Sequence, residues 1–228
     1  MKKWVKKIVH WARNGFFCLF ILSLLTVILF KFVPVYYTGY MFAKNTGQLF
    51  SGKKVEIHHK WVSLAEISPD LVQAAMASED YLFLIHNGFD FNEENLQLSR
   101  GARALHANKG TISQETARNV FLLPGENYLN ETLEMYFTLL IEFVWGKKRI
   151  MEVYLNSVEM GDAVFGAEAI AEKDFDKPAS ELTVPEAALI AAALVHSEEW
   201  DLRQPNTYLL RRQAKIRGLM EDRIQIEW

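Results

Sequence analysis

Two carboxylates, Glu79 and Asp80, stand side by side at the end of an apolar stretch and directly before five large apolar residues, Tyr81-Leu82-Phe83-Leu84-Ile85. A carboxylate held against apolar surface resists ionisation and can take up a proton near neutral pH. A helix end whose acids merely face water has the same composition, so the residues alone admit both readings. His86 follows, and it reads as a hydrogen bonder that shapes the segment rather than as a ligand. Glu131 and Glu134 lie three apart, a spacing that places both on one face of a helix. His58 and His59 have no helical metal spacing and read as surface residues. Cys18 is the only cysteine, which excludes a disulfide framework and a cysteine metal site.

Helices must position these residues. Capping chemistry marks helix starts at Ser68-Pro69-Asp70, at Asp90 with Glu93, at Thr111 with Gln114, and at Thr183 with Glu186. Between 127 and 145, Leu133, Phe137, Leu140, Ile141 and Val144 recur at helical spacing, with Gly146 as a stop. Another helix runs through Lys148, Met151, Tyr154 and Leu155, and an Ala-rich one from Glu186 to Leu194. The last begins near Asn206 and carries Arg211, Arg212, Lys215 and Arg217. Strand signals are scarce, apart from a short extended segment near 54 to 62. The spacing predicts an all-α domain.

The run from Phe16 to Phe30 is apolar throughout apart from small hydroxyls, and with Lys31 snorkelling it continues to Val33. That makes about 18 residues, within the spanning range. Bulky Lys31-Phe32-Val33-Pro34 offers no signal-peptidase site, so the anchor should stay uncleaved. Of the formal charge of −3, residues 1–31 hold six cations (Lys2, Lys3, Lys6, Lys7, Arg13, Lys31) and no acid, leaving the remainder at −9. The basic flank and the aromatic belt Tyr36, Tyr37, Tyr40 predict a cytoplasmic N-terminus and a domain outside the membrane. So acidic an outer part excludes nucleic acid as a partner. The expected divisions are 1–15 as a basic cytoplasmic tail, 16–35 as the transmembrane anchor, 36–53 as a juxtamembrane linker and 54–228 as the folded domain.

The stretch Glu79-Asp80 through Phe83, His86 and Gly88-Phe89-Asp90 resembles the first motif of glycosyltransferase family 51, the peptidoglycan transglycosylases. Lys109-Gly110-Thr111-Ile112-Ser113-Gln114-Glu115-Thr116-Ala117-Arg118-Asn119 is similar to its second motif, and Lys148 through Asn156, with Glu159 and Gly161, to a later one. Phe165-Gly166-Ala167-Glu168-Ala169 and Pro185-Glu186-Ala187-Ala188-Leu189 continue in register, so the likeness covers about 60 to 220. It is similar to the monofunctional, membrane-anchored members. The resemblance implies a lysozyme-like all-α glycosyltransferase domain behind a single N-terminal transmembrane helix in the bacterial inner membrane. The implied substrates are lipid II and the growing glycan strand, with cell-wall synthesis proteins as neighbours. It further implies Glu79 as the base, Glu134 as the second catalytic glutamate, and Asp80, His86, Lys109, Thr111, Ser113, Gln114, Arg118 and Asn119 as substrate contacts.

Departures from the family gather where it holds phosphate. Glu126, Asn130 and Glu131 stand at positions resembling Arg, Arg and Lys, while Gly110 and Glu115 replace Ser and Gln; Arg118 keeps the charge of the usual Lys. A carboxylate about 4 Å from a phosphate costs ~1 kcal/mol in water and ~4 kcal/mol at an effective dielectric near 20. The expectation is a weakened phosphate site unless Mg²⁺ or Mn²⁺ on Glu131 and Glu134 bridges the pyrophosphate. The alternatives are a relative that only binds lipid II or scaffolds the wall machinery, and a hydrolase that cuts glycan with the two carboxylates.

Overall fold

A computed structural model describes residues 2–52, 56–90, 110–125, 127–194, 197 and 199–221. The chain divides into two units, Met1–Pro34 and Val35–Trp228.

The first unit is one helix, α1 (Lys2–Phe32). Its stretch Val9–Phe32, 24 residues with mean hydropathy 2.4, is long and apolar enough to cross a membrane. At 1.5 Å per residue it spans about 36 Å, against a hydrocarbon core of about 30 Å. Ser23 and Thr26 return their hydroxyls to the carbonyls of Phe20 and Leu22 at 2.8 Å, so these polar atoms find partners inside the helix. The helix also takes in most of the basic stretch read as a tail.

In the second unit, Thr38 accepts the N–H of Met41 and starts α2 (Gly39–Phe50), so most of the stretch expected as a linker is helical. Gly39 is needed there because an added Cβ would collide with the Leu122 carbonyl. Ser68 caps α3 (Pro69–Glu79), with Pro69 at the first turn. From Leu71 to Glu79 all of α3 but Gln73 is buried, and Ala74, Ala75 and Ala77 let its neighbours come close. Capping boxes open α4 (Ile112–Phe121) at Thr111 and α8 (Val184–Ala193) at Thr183, as their sequences predict. Glu93, the other half of the cap expected at Asp90, lies outside the described residues.

The helix expected over 127–145 is α5 (Tyr128–Val144), capped by Asn127. It is followed by α6 (Lys147–Ser157) and α7 (Ala167–Phe175). The last helix is α9 (Thr207–Glu221). Two packing groups result: α3, α8 and α9 together, and α4 against α5 and α6. In the second group Phe121 stacks on Phe137 at 4.5 Å and tilts against Trp145 at 5.9 Å.

The protein is predominantly helical, with one small sheet among the described residues. Its strands are β1 (His58–His59), β2 (Glu159–Gly161) and β3 (Val164–Phe165), in the order β1-β3-β2, with β1 parallel and β2 antiparallel to β3. Only β1 was foreseen, because two- and three-residue strands carry too little alternation to register as a pattern. His58 is exposed as expected, whereas His59 is half-buried with Nε2 2.9 Å from the Asn156 carbonyl, and burial lowers its pKa. Asn156 clasps Val62 through both side-chain atoms, and Glu152 accepts the N–H of Leu64. The motif on α6 is thus the brace that ties the 58–64 segment to the helices.

Candidate active site

Glu79 is the last residue of α3, with a side chain 4% exposed. Its Oε1 accepts the Ser78 hydroxyl at 2.9 Å and lies 3.9 Å from Arg212 of α9, itself buried. Asp80, next in the chain, does a different job. Its Oδ2 accepts the N–H of Ile112 at the start of α4, where a negative charge suits the free amides of a helix N-terminus. His86 Nε2 lies 2.9 Å from the same oxygen, and Gly88 donates its N–H to His86 Nδ1, which leaves the ring proton on Nε2. Gly88 has φ +90°, and a Cβ there would meet Thr138 at 2.9 Å, so only glycine lets this turn lie against α5. Thr111 donates its hydroxyl to the Gly88 carbonyl at 2.6 Å. Ser113, fully buried, donates at 2.5 Å to Glu142, which also accepts Lys147 Nζ at 2.6 Å. Lys147 in turn lies over the Phe83 ring.

Asp80, His86, Thr111 and Ser113 were expected as substrate contacts. The structure ties them into a frame that joins the 80–90 turn to α4, α5 and α6. Lys109 and Glu126 lie outside the described residues.

The remaining expected residues meet in a cleft of about 590 Å³ between α2, α4 and α5. It is lined by Tyr40, Arg118, Asn119, Asn130, Glu131 and Glu134 and by the loop of Leu122 to Gly125. Gln114 donates to Glu134 Oε1 at 3.2 Å, and Arg118 Nη1 lies 3.4 Å from Glu134 Oε2. Burial raises the pKa of Glu134; Arg118 and Gln114 oppose that rise, while Glu115 and Glu131 add to it. Between the two sites stands Tyr154 of α6, fully buried, its hydroxyl without a hydrogen-bond partner among the described residues. Burial pushes its pKa well up, and Glu115, Glu79 and Asp80 push it further.

Three of the departures from the family pattern, Asn130, Glu131 and Gly110, have local explanations. Asn130 donates to the carbonyls of Leu123 and Gly125 at 3.0 and 2.8 Å, so it holds the loop that walls the cleft. Glu131 is exposed, where water screens its charge and the smaller of the two expected penalties applies. A Cβ on Gly110 would meet the Gln114 side chain at 2.8 Å, so glycine leaves Gln114 room to reach Glu134. By itself the donor set forms no closed cage, so Mg²⁺ or Mn²⁺ on Glu131 and Glu134 would have to draw further oxygens from the substrate's phosphates. The oxygens of Glu134 already face Gln114 and Arg118, and no group of three or more His, Cys, Asp or Glu able to hold a metal occurs among the described residues.

Two site residues escaped the sequence reading. Tyr40, assigned to an aromatic belt, lines the cleft and donates its hydroxyl to Glu159 at 3.1 Å. Arg212 was named only as one of four cations on the last helix, with no role in the site. The available signal was its register: Leu209, Arg212, Ile216 and Met220 form one helical stripe, and all four are buried.

A family model described as Transglycosylase matches residues 46–221. Proteins named biosynthetic peptidoglycan transglycosylase are similar over nearly the whole chain. That of Bacteroides thetaiotaomicron is 45% identical, covering 95% of this chain and 88% of its own; that of Pasteurella multocida is 42% identical, covering 90% and 84%. A third, from Bdellovibrio bacteriovorus, is 39% identical over 95% and 84%. The chain belongs to the transglycosylase family. It is a glycosyltransferase of peptidoglycan synthesis, with an apolar N-terminal helix suited to anchoring it in a membrane.

Proposed function

We propose that this enzyme polymerises lipid II, a disaccharide-pentapeptide on undecaprenyl pyrophosphate, with Glu79 as base and Arg118 beside the departing pyrophosphate. The acceptor sugar's hydroxyl loses its proton to Glu79 and its oxygen bonds to the donor's anomeric carbon. The anomeric carbon–phosphate oxygen bond breaks with inversion, and the pyrophosphate leaves with the electron pair. Glu134 holds Arg118 in the cleft, and Gln114 and Asn119 complete the polar wall. The observation that carries this reading is the Arg118–Glu134 pair inside a cleft large enough for a phosphorylated sugar, on the same helix pair that the Asp80 cap positions.

The N-terminus lies in the cytoplasm and the domain acts on the outer side of the inner membrane, beside other cell-wall synthesis proteins. The basic flank before the apolar run supports that orientation. A reporter fused after Trp228 should be active in the periplasm, and cytoplasmic activity would reverse the topology.

Labelled lipid II incubated with the full chain in detergent tests the reaction. Polymer is expected with EDTA present as well as without it. Binding without turnover would reduce the chain to a lipid II carrier, cleavage of finished glycan would make it a hydrolase, and loss of polymer in EDTA alone would restore a metal on Glu131 and Glu134.

A further inference from the structure

Arg212 occupies a place in α9 where an apolar residue is expected. Leu209, Ile216 and Met220 on the same stripe pack into the interface with α3 and α8, and Arg212 enters that interface with only 6% of its side chain exposed. A guanidinium is among the costliest groups to bury and is kept there only with partners of opposite charge or good acceptors. Its Nη2 lies 3.9 Å from Glu79 Oε1 and 3.3 Å from Ser78 Oγ, and Ser78 Oγ in turn lies 2.9 Å from Glu79 Oε1 and 3.1 Å from the Ala191 carbonyl on α8. Ser78 of α3 and Arg212 of α9 therefore meet at one oxygen of one carboxylate, and α8 reaches the same network through the Ser78 hydroxyl. A cavity of about 250 Å³ beside Ser78 and Arg212 keeps this back wall from being sealed.

We infer that Arg212, with Ser78, is the positioning residue of Glu79: it anchors the carboxylate by Oε1 and keeps it aimed for proton transfer. The inference rests on Glu79 being the base. Glu79 acts together with Asp80, Glu115 of α4 and Arg118 on the buried hydroxyl of Tyr154 of α6. From α8 only the Ala191 carbonyl faces the network, and it carries no charge. Arg212 brings a cation to Glu79 Oε1 from α9, opposite in charge to the carboxylate it holds.

The test uses full-length protein in detergent, turning over lipid II across pH, with melting curves for every variant. Arg212→Met should lower kcat about 10- to 100-fold with KM within about twofold, and should move the acid limb of the kcat profile to higher pH by about one unit or more, as loss of a neighbouring cation does for a carboxylate. Arg212→Lys should leave the limb at its wild-type pH. A folded Arg212→Met protein with wild-type kcat and an unmoved limb would overturn the inference. Where that variant does not fold, Ser78→Ala decides: a limb moved upward supports the anchor and an unmoved limb overturns it. Glu79→Gln separates the two levels of the argument. An inactive Glu79→Gln beside an unmoved limb in the Arg212 or Ser78 variant refutes only the anchor, whereas an active Glu79→Gln removes Glu79 as the base.

Discussion

Arg118 and Glu134 face each other at 3.4 Å across the cleft between α4 and α5, the cation on the more exposed side and the carboxylate behind it. Paired this way, both side chains line the same cleft, with Arg118 the more exposed of the two. Replacing Arg118 by Met should lower kcat/KM for lipid II about 100-fold, the scale seen when one stabilising donor is removed from a developing charge. Arg118→Lys should recover part of that, since an ammonium supplies charge without the planar fork. Steady-state polymerisation assays check both, and an active Arg118→Met would move the pyrophosphate out of this cleft.

Glu134 carries a pH signature. Burial raises its folded pKa above the unfolded value, so the neutral form is favoured by folding. That contribution is fully present below the unfolded pKa and is lost as pH rises through the folded one. Glu134→Gln should therefore melt slightly higher than wild type at about pH 7.5, with the gap closing toward pH 4. Polymerisation should fall in the same variant, because Arg118 loses its holder. Thermal melts across pH are the check, and a destabilised variant at neutral pH would contradict the raised value.

Asn130 and Glu131 should respond in opposite ways to restored cations. Glu131→Lys changes an exposed cleft residue and should tighten lipid II binding about three- to tenfold, fading at high salt. Asn130→Arg should cost about 1 kcal/mol or more, because it releases the carbonyls of Leu123 and Gly125. Binding isotherms and melts on the single variants separate the two effects. Unchanged affinity in Glu131→Lys would argue that substrate phosphate does not approach α5.

Ser113 distinguishes frame from contact. Ser113→Ala leaves Glu142 with Lys147 but without its hydroxyl donor, and should cost about 1–3 kcal/mol of stability with KM for lipid II unchanged. A raised KM in a fully stable variant would return Ser113 to the substrate.

The sequence alone determined what local rules control. The apolar run announced the anchor because a bilayer admits little else. Ser68, Thr111 and Thr183 announced their helices because a helix start needs a side-chain acceptor within a few residues. The Glu79-Asp80 motif announced the family because its residue types are rare in that order. None of these required knowing what lies across the fold.

The tertiary structure alone decided which polar residues are tied into the buried frame and which line the cleft. Ser113 and Gln114 are adjacent in sequence, yet one is buried on Glu142 and the other reaches Glu134 in the cleft. Arg211 and Arg212 are adjacent too, and only Arg212 turns inward to Glu79, 133 positions away in the chain. A side chain's role depends on which partner removes it from water, and that partner is set by packing between helices distant in sequence rather than by its neighbours in the chain.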